Sequence, residues 1–408
     1  MKILYITFDG LTDPLGQSQV LPYLKELASQ NYQITIISCE KKEKFSAGKA
    51  LIESIVAKAG IKWIPVPYSN RIPFISSYLN TVRMRSMAFR TVAQGQFNIV
   101  HCRSYLSALI GLKLRKKFGL KFIFDMRGFW ADERVDGGIW KKNNPIHRMA
   151  YVYFKKKEKH FFSDSDHIIS LTEAGKKEIT RIMSGSVCAP VTVIPCCADL
   201  SLFNAGAVDA KVKATKTREL GIEKGDWVLS YLGSLGTWYK AEEMLSFYKI
   251  LIRHYPNVKF LILTPDNPEI ILTLARKLGL DPARLLIRSA VRSEVPAYLS
   301  LSVLSIFFIQ PCYSKIASSP TKLAELLGMG IPVITNAGIG DMEEQIEASH
   351  AGLVIKSFTN EEYERAIDHI PQLLELDKQE LRQAAENCFS LTLGSKRYST
   401  VYQSLCLN

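Results

Sequence analysis

The chain has little of what marks a membrane span, a metal centre or a stapled secreted fold. Its apolar runs are short: 303–309, among the longest, falls far below the roughly 20 residues that cross a bilayer. The N-terminal MKILYITFDG has one early lysine and an apolar run that reads as a first strand, not a leader, so a cytosolic chain is expected. Eight cysteines occur, but none in Cys-x-x-Cys or Cys/His zinc spacing, so free thiols in a reducing compartment are expected. The neighbours Cys196 and Cys197 read as small buried residues. There is no low-complexity tract and no internal repeat. A Gly-x-Gly-x-x-Gly loop with an acid on the next strand is also missing, which argues against dinucleotide binding.

Acidic residues are scarce in one half only. Residues 1–195 hold 30 Lys+Arg and 15 Asp+Glu, a net +15, while the remainder holds 22 and 24, and the whole chain carries +13. Such asymmetry suggests an anionic partner on the first half: nucleic acid, an acidic membrane surface or a phosphorylated substrate. Solvated surface lysine accounts for part of it.

With 408 residues, two domains are the natural expectation. Short β-rich runs at 3–8, 33–38, 61–65, 99–101, 122–125, 167–171 and 191–195 alternate with helical patterns such as 18–31, whose Val20, Leu24, Leu27 and Ala28 recur at helical spacing. Residues 198–226 are polar and weakly patterned, a plausible connection. The pattern restarts at 227–236 and continues at 259–263, 285–287, 303–308 and 332–335. Two α/β domains with parallel sheets follow, and ligands of such sheets bind beyond the carboxyl ends of the strands.

Chemistry is therefore sought just after each strand. In SSPTKLAELLGMGIPVIT, Ser319 suits a helix N-cap and Pro320 the first helical position, with Gly330 as the stop. A helix N-terminus favours anions, and Lys322 in the first turn opposes the dipole unless an anion lies nearby. Glu325, one turn on, suits a ribose; helix physics alone leaves a Lys322–Glu325 surface pair equally open. In DPLGQSQVLPYL, Gly16 stands where a strand hands over to a helix, either as a tight turn or as backbone cleared for a ligand.

These segments, in this order, resemble the family 4 retaining glycosyltransferases of the GT-B fold. SSPTKLAELLGMGIPVIT is similar to the donor-site segment and DPLGQSQVLPYLKELASQNYQITIIS to the glycine loop, first helix and second strand. VIPCCADLSLF is similar to the interdomain segment, YLGSLGTWYKAEEML to the phosphate loop of the second domain, and AGLVI (351–355) to a late strand. The resemblance implies two Rossmann-like doubly wound domains facing a central cleft. The first, 1–197, would take the acceptor; the second, 198–390, would take a nucleotide-diphosphate sugar; a C-terminal helix in 391–408 would return to the first.

The resemblance also assigns roles. Gly16, Gln17, Gly233, Ser234, Lys240, Ser319, Thr321, Lys322 and Glu325 fall at donor-binding positions, with Lys240 and Glu325 counted among the catalytic ones. Gln17 replaces a second glycine, Ser234 replaces a phosphate-binding arginine, and Ala317 stands where a first glutamate is usual. Arg103, in VHCRSY, replaces the active-site histidine. It would hold either an acidic group on donor or acceptor or the donor diphosphate. The loop FDMRGFWADERVDGGIW would line the acceptor side through Arg127, Asp132 and Glu133, against the alternative of a structural ion-pair cluster. No cofactor and no metal are expected; a nucleotide sugar, UDP favoured, is the co-substrate. The acid pair in DSD (164–166) sits at a helix end, away from any phosphate loop, and is rejected as a metal motif.

Residues 71–92, with Arg71, Arg83, Arg85 and Arg90 among Phe74, Tyr78, Leu79, Met84, Met87 and Phe89, read either as a basic amphipathic element on an anionic membrane or as a buried helix with a basic outer face. The expected activity is retaining, metal-independent sugar transfer to a glycan or lipid-linked acceptor in cell-surface polysaccharide synthesis, in the cytosol or on the inner face of the membrane. The rival is a basic α/β protein that binds nucleic acid or a membrane surface without catalysis. It rests on charge alone, and no nucleic-acid partner is expected.

Overall fold

The structure, a computed structural model, describes residues 1–70 and 75–406. The chain divides into two compact units. Unit 1 comprises Met1–Cys196, Ile316–Ser318 and Leu391–Asn408, and unit 2 comprises Cys197–Lys315 and Ser319–Ser390.

Unit 1 is built on β1 (Lys2–Thr7), β2 (Gln33–Glu40), β3 (Lys62–Pro67), β4 (Ile99–Arg103), β5 (Lys121–Asp125), β6 (His167–Ser170) and β7 (Val191–Val193). Their order in the sheet is β3-β2-β1-β4-β5-β6-β7, with parallel pairing throughout. Strands such as β1 and β4 are buried almost end to end, as expected where helices cover both faces of a sheet. The order reverses between β1 and β4, and this switch point opens a crevice at the carboxyl ends.

The last helix, Leu391–Ser404, belongs to unit 1. Tyr402 Oη lies 2.7 Å from His101 Nδ1, Tyr398 donates to Asp125 Oδ2 at 3.1 Å, and Tyr32 Oη meets Ser399 Oγ at 2.7 Å. His101 is therefore a core residue of β4, and burial lowers its pKa below the ordinary histidine range, with Asp125 opposing.

Unit 2 repeats the plan with β8 (Trp227–Leu232), β9 (Val258–Leu263), β10 (Leu285–Arg288), β11 (Ser302–Ile306), β12 (Val333–Asn336) and β13 (Gly352–Ile355). Its order is β10-β9-β8-β11-β12-β13, again parallel, with the switch between β8 and β11. The polar stretch after residue 198 is more ordered than its composition suggests. It contains the helix Ala210–Glu219, capped by Asp209 onto Lys211 N–H, and Arg382 ties carbonyls of Leu200 and Phe203 into unit 2.

The eight cysteines form no disulfide among the described residues, and Cys196 and Cys197 are buried. In the 71–92 stretch, Arg71 and Phe74 lie outside the described residues. The helix Ile75–Ala93 buries Met84 and Ala88 and exposes Arg83 and Arg90, with Tyr78 and Leu79 also outward. Of DSD, Asp164 ends a helix, while Asp166 pairs with Arg115 at 2.9 Å and accepts from Phe122 N–H, a local structural role. Among the described residues no helix is long and apolar enough to cross a membrane.

Candidate functional site

Two clusters collect at the carboxyl ends of the sheets, one in each unit. In unit 2 the helix Thr321–Gly328 starts with Pro320 at the cap position, one residue later than Ser319 suggested, and no side chain caps it. Its positive end is open to an anion on dipole grounds. Lys322 does not lie on the surface. Its Nζ sits 3.5 Å from the centre of the Tyr239 ring, 4.5 Å from that of Tyr231, and 3.4 Å from Tyr231 Oη. Burial drives its ammonium well below the ordinary lysine range, with Glu325 the opposing influence.

Gly233 follows β8 at φ 132°, and a Cβ there would meet Lys322 Nζ at 2.8 Å. The backbone conformation requires the glycine, and any side chain there would also have to displace the Lys322 ammonium. Tyr231 Oη donates to the Ser234 carbonyl at 2.5 Å, tying down the exposed loop that follows.

Glu325 is also buried, which excludes the surface-pair reading. Its Oε1 accepts from Arg292 Nη1 at 2.8 Å. Burial pushes the carboxyl up, and Arg292 opposes that rise. Arg292 follows β10 and stacks over Phe203, its Cζ 5.1 Å from the ring centre; its buried Nη2 has no hydrogen-bond partner among the described residues. The sequence offered no signal for it, because only the fold brings residue 292 to residue 325.

Lys240 does not join this group: it precedes the helix Ala241–His254 and its Nζ pairs with Glu243. Ser319 and Thr321 stand half-buried at the helix start.

In unit 1 the loop after β1 is pinned by a carboxylate that the sequence reading passed over. Glu40, the last residue of β2, accepts from Leu11 N–H at 2.7 Å, Thr12 N–H at 3.2 Å, and the hydroxyls of Thr12 and Ser38 at 2.5 Å each. An acid closing an apolar strand at the sheet's carboxyl end was the available clue. Gly16 corrects an expectation: it lies within a short helix, Pro14–Gln19, not at a loop hinge. A Cβ there would fall 2.0 Å from the Gly10 carbonyl oxygen, so the protein's own backbone already forbids a side chain. Gln17 donates through Nε2 to the Thr12 carbonyl at 3.2 Å and so braces the same loop.

Arg103 closes β4. It is buried, and Nε donates to Asp9 Oδ2 at 2.8 Å. Next to it, Ser104 has φ 65°, and Arg127, just past β5, has φ 57°. Left-handed non-glycine residues at two strand ends of one sheet hold backbone strain at this rim. Arg127 Nη1 lies 3.7 Å from Asp125 Oδ1, and Nη2 donates to Cys196 Sγ at 3.2 Å and Gln19 Oε1 at 3.4 Å. Burial pushes the Asp125 carboxyl up, yet Arg127 and His101 outweigh it and hold it at about 2.

Asp132 turns into the fold, accepting from Tyr151 Oη at 2.9 Å and Lys155 Nζ at 2.8 Å. Lys155 bridges on to the buried Glu158 at 2.5 Å, and Glu158 also takes the Tyr105 hydroxyl. Asp132 is thus part of the structural ion-pair cluster, as its burial demands. Glu133 is half-buried on the same short helix, Trp130–Asp136.

Beside Arg103 opens a cavity of about 640 Å³, lined by Phe8, Asp9, Lys41, Tyr68, Trp130 and Arg134 among others. Lys41 pairs with Asp13 at 2.9 Å, and the Arg134 guanidinium stacks 4.7 Å over the Trp130 ring centre. Aromatic walls with a few cations suit a sugar or phosphate-bearing ligand.

Comparison with known proteins fits this plan. The family model for Glycosyltransferase Family 4 matches residues 17–202, and that for Glycosyl transferases group 1 matches residues 212–387. A D-inositol 3-phosphate glycosyltransferase from Segniliparus rotundus is 20% identical over 276 residues; the match spans 66% of this chain and 57% of that protein's length. Sucrose-phosphate synthase from Thermosynechococcus elongatus superposes with a TM-score of 0.74 at 14% identity, covering 100% of this chain and 99% of the other. HepE from Anabaena, solved in complex with UDP-glucose, gives 0.71 at 13% identity, covering 99% and 100%. At such identities the superpositions speak for the fold alone, while the two family models together cover most of the chain. The chain belongs to the family 4, group 1 glycosyltransferases of the GT-B fold.

Proposed function

We propose that this protein transfers a sugar from a nucleotide-diphosphate sugar, UDP-sugar favoured, to a hydroxyl of a glycan or lipid-linked acceptor in surface-polysaccharide synthesis. One observation carries the reading: Lys322, Glu325, Arg292 and Gly233 converge at the carboxyl ends of the unit 2 strands. That HepE was solved with UDP-glucose adds support by fold.

In this reading the buried Lys322 and the open helix start hold the diphosphate. Arg292 holds the Glu325 carboxylate in place for the ribose hydroxyls. The acceptor hydroxyl attacks the anomeric carbon as the bond to the diphosphate breaks, and the leaving phosphate takes the proton. Negative charge grows on the diphosphate in the transition state, and preorganised cations stabilise it in a low-dielectric site, which suits transfer without a metal. By family resemblance the anomeric configuration is retained. The unit 1 cavity takes the acceptor, with Arg103 and Lys41 facing an anionic group on it.

The test is a thermal-shift and calorimetry screen of nucleotide diphosphates and their sugars, run with and without chelator. UDP and a UDP-sugar should raise Tm equally in both conditions, and NMR of the product should show the donor's anomeric configuration. If no nucleotide stabilises the protein, the reading falls; if chelator abolishes binding, its metal independence falls.

A further inference from the structure

The helix Pro145–Asp164 of unit 1 buries Glu158, Phe161 and Phe162. Its opposite face is bare. Ile146, Met149, Val152 and Tyr153 keep 56%, 68%, 58% and 47% of their surface exposed, and Ile139, just before the helix, keeps 53%. At 3.6 residues per turn, those four helix positions fall in one stripe about 120° wide. Single exposed apolar residues are ordinary, whereas a continuous stripe marks a docking surface.

Charge identifies the occupant. From residue 137 to the helix end at Asp164 the sequence has seven lysines and arginines, of which Lys155 turns inward to Asp132 and Glu158, against two acids, the buried Glu158 and the exposed terminal Asp164. Arg148, Lys156 and Lys159 stand exposed beside the stripe. We infer that this face docks on an anionic lipid bilayer, the stripe seated at the headgroup boundary and the basic rim on lipid phosphates. A two-fold pairing of the face with itself would instead set cations against cations. The same helix lends His147 and Phe154 to the cavity wall, so docking sets the cavity beside the membrane. The surface stands independently of the donor chemistry proposed above and is separate from the 71–92 stretch.

The experiment is co-sedimentation of the full chain with phosphatidylcholine vesicles, with and without phosphatidylglycerol. Binding should need the anionic lipid and weaken with salt. I146S/M149S/V152S, whose residues are exposed and whose folding is checked by its melting curve, should abolish it. K156E/K159E should lower partitioning by about fivefold for each basic residue removed, and more for the added repulsion. K113E/K116E, the same charge change on another helix, should retain most of the binding. Undiminished binding by the apolar variant, or equal loss in both lysine variants, overturns the inference. So does concentration-dependent dimerisation that the apolar variant removes.

Discussion

Lys322 has an unusual position for a cation: boxed by Tyr231 and Tyr239, with its ammonium disfavoured by burial. The sign follows from linkage. A folded-state value below the unfolded one makes the unfolded chain bind more protons, so this lysine costs stability that is regained only as pH rises toward the ordinary lysine range. Lys322→Met fills the same space without charge. It should leave Tm equal or higher and flatten the alkaline rise in stability, while weakening UDP binding by about 10- to 100-fold, the range for a lost hydrogen bond to a charged group.

Arg292→Ala does the reverse: it strands the Glu325 carboxylate and should cost about 3 kcal/mol by denaturant unfolding. Arg292→Met with Glu325→Gln should recover most of that stability, but not nucleotide affinity.

His101 gives a third signature. Its burial lowers its folded-state value, so the unfolded chain takes a proton first as pH falls below about 6.5, and stability declines from there until the folded value is reached. Denaturation curves between pH 7 and 5 should show wild type losing ground to His101→Asn by up to about 1.4 kcal/mol per pH unit.

At the level of elements, the short helix Pro14–Gln19 and the loop before it act as one piece. Glu40 clamps the loop from β2, Gln17 braces it from the helix, and Gly16 allows the two to touch. Gly16→Ala should therefore fail at folding rather than at ligand binding, costing about 3 kcal/mol or more through a backbone clash. Gly60→Ala, at φ 65° with open space around it, bears only the conformational cost and should lose about 1–2 kcal/mol. Comparing melting temperatures of the two variants without ligand checks this. If Gly16→Ala matches wild type in Tm, the packing account of that glycine is wrong.

On the scale of the whole molecule, the chain closes unit 1 with a sequence-distant segment. The helix Leu391–Ser404 supplies Tyr398 and Tyr402 to Asp125 and His101 in unit 1, although residues 197–315 and 319–390 build unit 2. Ending the chain at Ser390 takes one hydrogen-bond partner from each of those buried polar groups and exposes apolar surface. Hydrogen exchange should then show protection collapsing across β4 and β5 while β8 to β13 keep theirs. Uniform loss across both units would contradict this division.

The sequence by itself determined the class of the molecule. Alternating apolar runs and helical patterns made two parallel α/β units predictable, because period and run length encode burial locally. The order of its motifs placed Gly233, Lys322 and Glu325 at strand and helix ends, and the family models agree with the family those motifs resemble. Only the tertiary structure decided what those side chains touch. Spacing along a helix cannot tell a solvated Lys322–Glu325 pair from a buried lysine under two tyrosines. Nor does any local signal bring Arg292 to Glu325 across 33 residues or Asp9 to Arg103 across 94. Lys240 kept its expected place in the chain but spent its charge on Glu243, and Asp132 turned inward to Lys155. Burial and pairing are properties of the packed chain: they depend on which distant surfaces exclude water together, and that is settled only when the sheets and helices close.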